Sequence, residues 1–296
     1  MVRLEFAIDL KYEIADNPAD FVLNIHAART PWQSVFAEAL SVTPPVAAVE
    51  YADPAFGTRY LRFRAHPGNL AVRYDATVDI THHLEPPARL SEVPIERLPS
   101  EVLPFIYPSR YCQSDRLRRF ATREFGHLRQ GYWRVQAIRD WVAQRTAFTV
   151  GSSNVSTSPV DTLVEQVGVC RDFAHLMIAL CRAVNIPARF VTGIDYGSAP
   201  SMGPPDFHAY VEAYLGSRWY LFDPTGITAP MGLVRIGTGR DAADVSFATI
   251  FGAVKSYPPV ICIEAIVDVA GGFTLPGHST DAVSTHGDQA LAQVLA

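Results

Sequence analysis

Gly168-Val169-Cys170-Arg171-Asp172-Phe173-Ala174-His175-Leu176 is the stretch whose reading decides the fold. A glycine turn delivers a cysteine directly onto the first turn of a helix. From Cys170 onward the apolar residues Phe173, Leu176, Met177, Leu180, Cys181 and Val184 recur at i, i+3 and i+4. That spacing is the stripe of a buried helix, and Asn185-Ile186-Pro187 ends it. A helix start leaves backbone N–H groups without intrahelical acceptors and carries the positive end of the dipole. Both favour a thiolate over a thiol, so Cys170 is a candidate nucleophile. A cysteine taken alone is more often a small buried hydrophobe. The rest of the chain has to decide between the two.

Composition sets the class. A chain of 296 residues is long enough for one large domain or two modest ones. Its 48% apolar and 19% charged content is that of a globular protein. A formal net charge of −5 argues against a nucleic acid or an anionic membrane as the main partner. No run of about 18 apolar residues occurs, and Met1-Val2-Arg3-Leu4-Glu5-Phe6 has no signal-peptide core, so the expected compartment is the cytoplasm. The cysteines are Cys112, Cys170, Cys181 and Cys262. None forms a C-x-x-C pair or has a histidine at zinc-ligand spacing, and no calcium-loop signature is present, so neither metal nor cofactor is expected. In a reducing compartment all four are free thiols. Cys181 sits inside the apolar stripe and reads as core, while Cys112 and Cys262 read as structural.

Upstream, Arg3–Leu10, Phe21–His26, Tyr60–Arg64 and Leu70–Ile80 alternate at period two, with turn chemistry at Asp16-Asn17-Pro18, Asp53-Pro54 and His66-Pro67-Gly68-Asn69. Residues 1–88 therefore read as a small antiparallel β-sandwich domain. His82-His83 points to opposite faces of a strand and reads as a surface pair rather than a metal site. The proline-rich residues 89–112 form a linker that packs on both neighbours. Helices are expected from Ser114 to about Phe125, from Gly131 to Thr146, and over Pro159–Gln166. After Pro187, Ala188–Ile194 reads as a strand and Tyr196–Pro205 as a flexible loop. His208–Leu215 and Arg218–Asp223 then form a hairpin across Gly216-Ser217. Val260–Val269 looks like a final strand of the second domain's sheet. Residues 271–296 lose the apolar pattern and read as a weakly ordered tail, with any helix in Asp288–Ala296 short and frayed.

The hairpin serves as a ruler. With Gly216-Ser217 as the loop, Leu215 opposes Arg218, and counting outward puts Tyr210 opposite Asp223. His208 shares the face of Tyr210 and is diagonal to Asp223, within reach of a His–Asp hydrogen bond. An aspartate on an imidazole nitrogen fixes the tautomer and stabilises the imidazolium, the orienting role in nucleophile–base–carboxylate triads.

Four blocks carry a family resemblance: Gly168–His175, Asn185–Gly193, His208-Ala209-Tyr210-Val211-Glu212, and Trp219–Thr225. In this order they resemble the transglutaminase-like superfamily of bacteria, whose members are often described as cysteine proteases. The likeness covers about Gln113 to Ala270, so residues 113–270 are the expected catalytic core. Gly239–Val245 is similar to a further stretch of such proteins, and the N-terminal segment resembles the β domain commonly found ahead of that core. The resemblance implies an α+β fold: a papain-like, transglutaminase-like core in which a cysteine-bearing helix packs on an antiparallel sheet. It implies Cys170 as nucleophile, His208 as base and Asp223 as orienting carboxylate. Tyr210 departs from the tryptophan usual after His-Ala and is expected to alter a cleft wall. The segment Gly203–Phe207 also departs from the usual form, which leaves substrate preference open.

The chemistry these residues imply is acyl transfer through a thioester on a protein or peptide substrate. Water as acceptor makes a protease or amidase, the expected outcome; an amine makes a transglutaminase. A non-catalytic peptide-binding module on the same fold is the alternative from another class. The Cys170 N–H is the natural oxyanion donor. Gln166 is a candidate second donor, although it also reads as a helix-surface residue. Arg171 and Asp172 are candidate substrate contacts or simply a solvated helix start. The substrate and the oligomeric state are open at this level.

Overall fold

The computed structural model describes residues 1–197 and 205–286. The chain begins with six strands: β1 (Val2–Ile14), β2 (Ala19–Leu23), β3 (Gln33–Thr43), β4 (Ala48–Ala52), β5 (Arg59–Ala65) and β6 (Gly68–Ile80). A short β7 (His83–Glu85) and three 3-10 turns lead to helices α1 (Ser114–Phe125) and α2 (Tyr132–Arg145). Then come β8 (Ala147–Phe148), α3 (Pro159–Glu165), β9 (Val167–Gly168) and α4 (Cys170–Ala183). Four strands follow: β10 (Ala188–Asp195), β11 (Phe207–Leu215), β12 (Arg218–Phe222) and β13 (Leu233–Gly239). The last are β14 (Ala248–Phe251), β15 (Val254–Ser256), β16 (Val260–Ile266) and β17 (Ala282–Ser284).

Period-two alternation builds the N-terminal sandwich. Along β1, Val2, Leu4, Phe6, Ile8, Leu10, Tyr12 and Ile14 are all buried while the residues between them are more exposed. One sheet runs β15-β1-β6-β3 and the facing sheet β14-β2-β5-β4. Their inner faces interdigitate through Phe6, Tyr74, Phe21 and Phe63, with Phe21 and Phe63 stacked at 5.0 Å between ring centroids.

The second core is a four-stranded antiparallel sheet in the order β12-β11-β10-β13. Helix α4 lies on one face, its Phe173, Leu176, Met177, Leu180 and Cys181 among Phe190, Val211, Ala213, Leu215, Tyr220 and Phe222. Helices α1, α2 and α3 cover its other sides, so Ala174, His175, Ile178 and Ala179 are buried too. The helix is sealed all round, beyond the single stripe that its spacing implies. Toward the β13 edge Ile194, Val234 and Ile236 enter the core of the N-terminal sandwich, while the face away from α4 buries Val191, Tyr210, Leu221 and Leu233 together with Val283. The proline-rich linker closes the gap: Phe105 lies 5.8 Å from Phe56 of the first domain and 5.2 Å from Trp219 of β12.

Several expectations need correction. The strand expected to finish the second domain's sheet, β16, instead pairs antiparallel with β1, and β15 continues along the same edge. Alternation shows that Ile261, Ile263 and Ala265 share a buried face; the unpaired edge of β1 supplies it. The chain therefore leaves the first sandwich and returns to it, so residues 1–88 do not make up that unit alone. The unforeseen β3 is largely solvent-facing beyond Gln33 and carries a bulge between Val35 and Ala37, which hides its period. Within the stretch read as a weak tail, β17 is buried and pairs with β7. His82 is half-buried rather than on the surface, with its imidazole pKa pushed down by burial to about 4. The flexible loop expected over 196–205 falls largely outside the described residues, as does the helix expected within 288–296.

Leu180 is fully buried between α4 and the sheet. Leu180→Ala is expected to cost about 2–5 kcal/mol of stability, read as a lowered urea midpoint with an unchanged slope.

Candidate active site

Cys170 opens α4 because the backbone before it is held in place. Residues of β9 pair in parallel with β8, and Val169 takes the extended N-cap conformation. The Asp172 carboxylate accepts the Val169 N–H at 2.9 Å, and a second contact comes from the Ser153 hydroxyl at 2.9 Å. Asp172 is buried, so it is neither solvated nor available to substrate. Gly168 is required beside it, since a Cβ there would stand 2.9 Å from the Asp172 Cβ. Arg171 donates to the Ser153 hydroxyl and to the Asn154 carbonyl, the latter at 2.7 Å, and so ties the 151–158 loop to the helix start. Both residues position the cysteine. The Cys170 N–H, in the first turn, has no intrahelical acceptor, and the Cys170 thiol lies 3.9 Å from the Phe207 carbonyl oxygen.

The hairpin register places the other two groups. Leu215 opposes Arg218 and Val211 opposes Phe222, as the ruler requires. His208 is thereby diagonal to Asp223, and His208 Nε2 lies 3.2 Å from Asp223 Oδ1. The carboxylate is pinned by the Thr225 hydroxyl at 2.6 Å, the Thr225 N–H at 2.9 Å and the Thr228 N–H at 3.2 Å. Arg139 of α2 holds the Asp223 carbonyl at 2.7 Å. Burial pushes the Asp223 carboxyl up, but His208, Thr225 and Thr228 outweigh it and hold it down at about 2.

A residue that the hairpin ruler does not reach completes the setting. Asp195, the last residue of β10, sits with Oδ2 3.6 Å from His208 Nδ1. It also accepts from the Tyr210 hydroxyl, which lies 2.5 Å from the Thr228 hydroxyl. Burial pushes the His208 imidazolium down, yet Asp195, the hydrogen bond to Asp223 and the Cys170 thiol raise its pKa well above 6.5. Burial likewise raises the Asp195 carboxyl.

Tyr210 is fully buried and stands edge-on to the imidazole at 4.8 Å, so it supports the His208 ring and is not a cleft wall. Gln166 is also removed from the cleft. It is exposed, caps α3 in the left-handed conformation with φ 58°, and borders a separate cavity beside Phe120 and Trp141. The cleft that Cys170 and His208 do share has a volume of about 490 Å³, with Tyr111, Phe190, Phe207 and Phe247 on its walls. Phe207 and Phe247 stack at 4.7 Å, giving an apolar shelf beside the thiol. The four thiols are free; Cys112 and Cys181 are buried, Cys170 is half-buried and Cys262 is exposed.

Known proteins share this arrangement of sequence. The Transglutaminase-like superfamily profile matches residues 119–224, and that of the Bacterial transglutaminase, N-terminal domain matches residues 2–101. A crystal structure named as a putative cysteine protease from Cytophaga hutchinsonii is 40% identical, with a TM-score of 0.87 over 96% of this chain and 97% of that one. An uncharacterized protein of Mycobacterium leprae is 31% identical over 117 residues, 38% of this chain and 42% of that protein. One of Mycobacterium tuberculosis is 31% identical over 149 residues, 46% and 47% of the two chains. The chain thus spans less than half the length of these curated relatives. With its fold and an overall likeness at 40% identity both in hand, the chain belongs to the transglutaminase-like superfamily and carries the bacterial N-terminal β domain of that group.

Proposed function

We propose that this protein hydrolyses amide bonds in protein or peptide substrates by cysteine-dependent acyl transfer. The observation that carries the proposal is the buried His208, bound to Asp223 at 3.2 Å and sharing a cleft with the half-buried thiol of Cys170 at a helix start. A relative named as a putative cysteine protease supports the choice of acceptor.

The thiolate of Cys170 attacks the amide carbonyl carbon, and the developing oxyanion is met by the Cys170 N–H at the positive end of α4. The C–N bond then breaks as the His208 imidazolium gives its proton to the leaving nitrogen, leaving a thioester and a neutral imidazole. Neutral His208 next takes a proton from water. The resulting hydroxide attacks the thioester, carboxylic acid departs and the thiolate returns. Asp223 keeps the imidazole in one orientation throughout and stabilises its charged form.

The first test is alkylation by iodoacetamide in a Cys262→Ser background, which leaves Cys170 the accessible thiol. Fast modification slowed by His208→Ala is expected. If His208→Ala leaves the rate unchanged, the thiol and imidazole do not act together and the proposal fails. With fluorescent casein as probe substrate, Cys170→Ala should abolish cleavage and Asp223→Asn should reduce kcat by about 10²- to 10⁴-fold. Added primary amine should not divert the acyl group; efficient capture by amine would reassign the reaction to transamidation.

The ion pair also gives stability a pH dependence. His208, raised above 6.5, contributes fully below that pH and loses its contribution as pH rises through the folded value. Asp223, lowered from 3.8 to about 2, contributes fully above 3.8 and loses its contribution as pH falls toward 2. The stability difference between the parent and Asp223→Asn, measured by urea unfolding, is therefore expected to be widest between about pH 4 and pH 6.5 and to narrow on either side.

A further inference from the structure

A second cavity of about 340 Å³ lies on the face of the β12-β11-β10-β13 sheet turned away from α4. Its far wall is made by loops of the N-terminal sandwich, including Ala55 and Phe56, and one side by Phe105 of the linker. On the sheet side stand Arg189, Trp219 and Arg235. The active-site cleft shares none of these residues.

Its charge is unusual. Arg189 and Arg235 are only 5% and 2% exposed, and the fully buried Glu212 lies between them. Glu212 Oε2 accepts from Arg189 Nε at 2.7 Å and sits 2.6 Å from Arg189 Nη2, while Oε1 accepts from Arg235 Nη2 at 2.5 Å. One carboxylate therefore serves two desolvated guanidinium groups, leaving one positive charge in excess among the described residues. An uncompensated buried charge is expensive, because the interior replaces little of the hydration it loses. Among the described residues, Arg189 Nη2 and Arg235 Nε are buried with no well-aligned hydrogen-bond partner. Arg189 is held rigidly, its guanidinium 4.1 Å above the Trp219 ring. His286, also on the wall, does not supply the missing negative charge; burial and then Arg189 push its pKa down to about 3, so it is neutral at pH 7. The exposed Arg29 on the wall is paired to Glu38 at 2.6 Å, and the exposed Glu101, also on the wall, accepts from the Ser100 hydroxyl at 3.3 Å.

We propose that this cavity binds a small organic oxyanion, with the charged head on the free edge of Arg189 and an apolar body against Trp219, Phe105 and Phe56. A planar guanidinium with an unused N–H edge is suited to a carboxylate or a phosphate monoester, and the aromatic wall suits an aromatic or aliphatic body. The site stands apart from the acyl-transfer chemistry and does not depend on it.

Calorimetric titration of the full chain at constant ionic strength tests the proposal, with benzoate and phenyl phosphate as probes and benzamide as the neutral comparison. Saturable binding of benzoate or phenyl phosphate, at least tenfold tighter than benzamide, is expected, and the tighter of the two identifies the head group. Arg189→Gln should weaken it at least tenfold, whereas Cys170→Ala should bind as the parent does. Ala55→Trp, which fills the cavity from its exposed wall and leaves the buried pair intact, should block binding even where Arg189→Gln does not fold. Binding by neither anion, equal binding of benzamide, or full binding by Ala55→Trp would overturn it.

Discussion

Enclosure of α4 on all sides is the constraint on which the rest depends. A helix packed between a sheet and three other helices cannot shift or fray, so its first residue is a fixed point in space. The buried Asp172 closes the backbone just ahead of it, which turns a helix start into a rigid mount for a thiol. Elementary helix physics makes that position favourable to negative charge; packing makes it precise enough to share with an imidazole.

The face of the sheet away from α4 carries the charged chemistry. Along β11, His208, Tyr210 and Glu212 alternate with Ala209, Val211 and Ala213, which pack on the helix side. In an isolated domain such polar residues would face water. Here Leu221, Leu233 and Val283 pack around Tyr210 and loops of the N-terminal sandwich face the arginine end, so each must find partners in protein. His208 finds Asp223 and Asp195, Tyr210 finds Asp195 and Thr228, and Glu212 finds Arg189 and Arg235. The domain that reads in sequence as an accessory thus helps set the dielectric in which the buried arginines sit.

Its attachment is correspondingly firm. The chain comes back after β13 to add β14 to one sheet of the sandwich and β15 and β16 to the other. The linker wedges Phe105 between Phe56 and Trp219, and Glu92 within it binds Arg134 of α2, with its Nε at 2.8 Å. The two cores are joined by sheet edges, aromatic contacts and a half-buried ion pair together, not by a flexible tether.

How much of this could be read from the chain follows from the range of each signal. The helix at Cys170 was legible because its period and its stop are local, and the His208–Asp223 pair because a two-residue turn transmits register along both strands of a hairpin. Asp195 lies 3.6 Å away on the other side of the imidazole, but eleven residues separate it from β11, and a connection of that length carries no register. Alternation in β16 marks one buried face but cannot say which sheet provides the partner, so its return to β1 was decided by an edge left open some 250 residues earlier. The face on which Tyr210 lies was legible; that Val283 of β17 returns to pack on that face was not. Sequence by itself determined the elements with a regular local period, the cysteine-bearing helix among them, and the locally paired histidine and aspartate. Tertiary structure alone decided the second carboxylate, the partners of the returning strands and the buried arginines, because each depends on surfaces that meet only when distant segments pack.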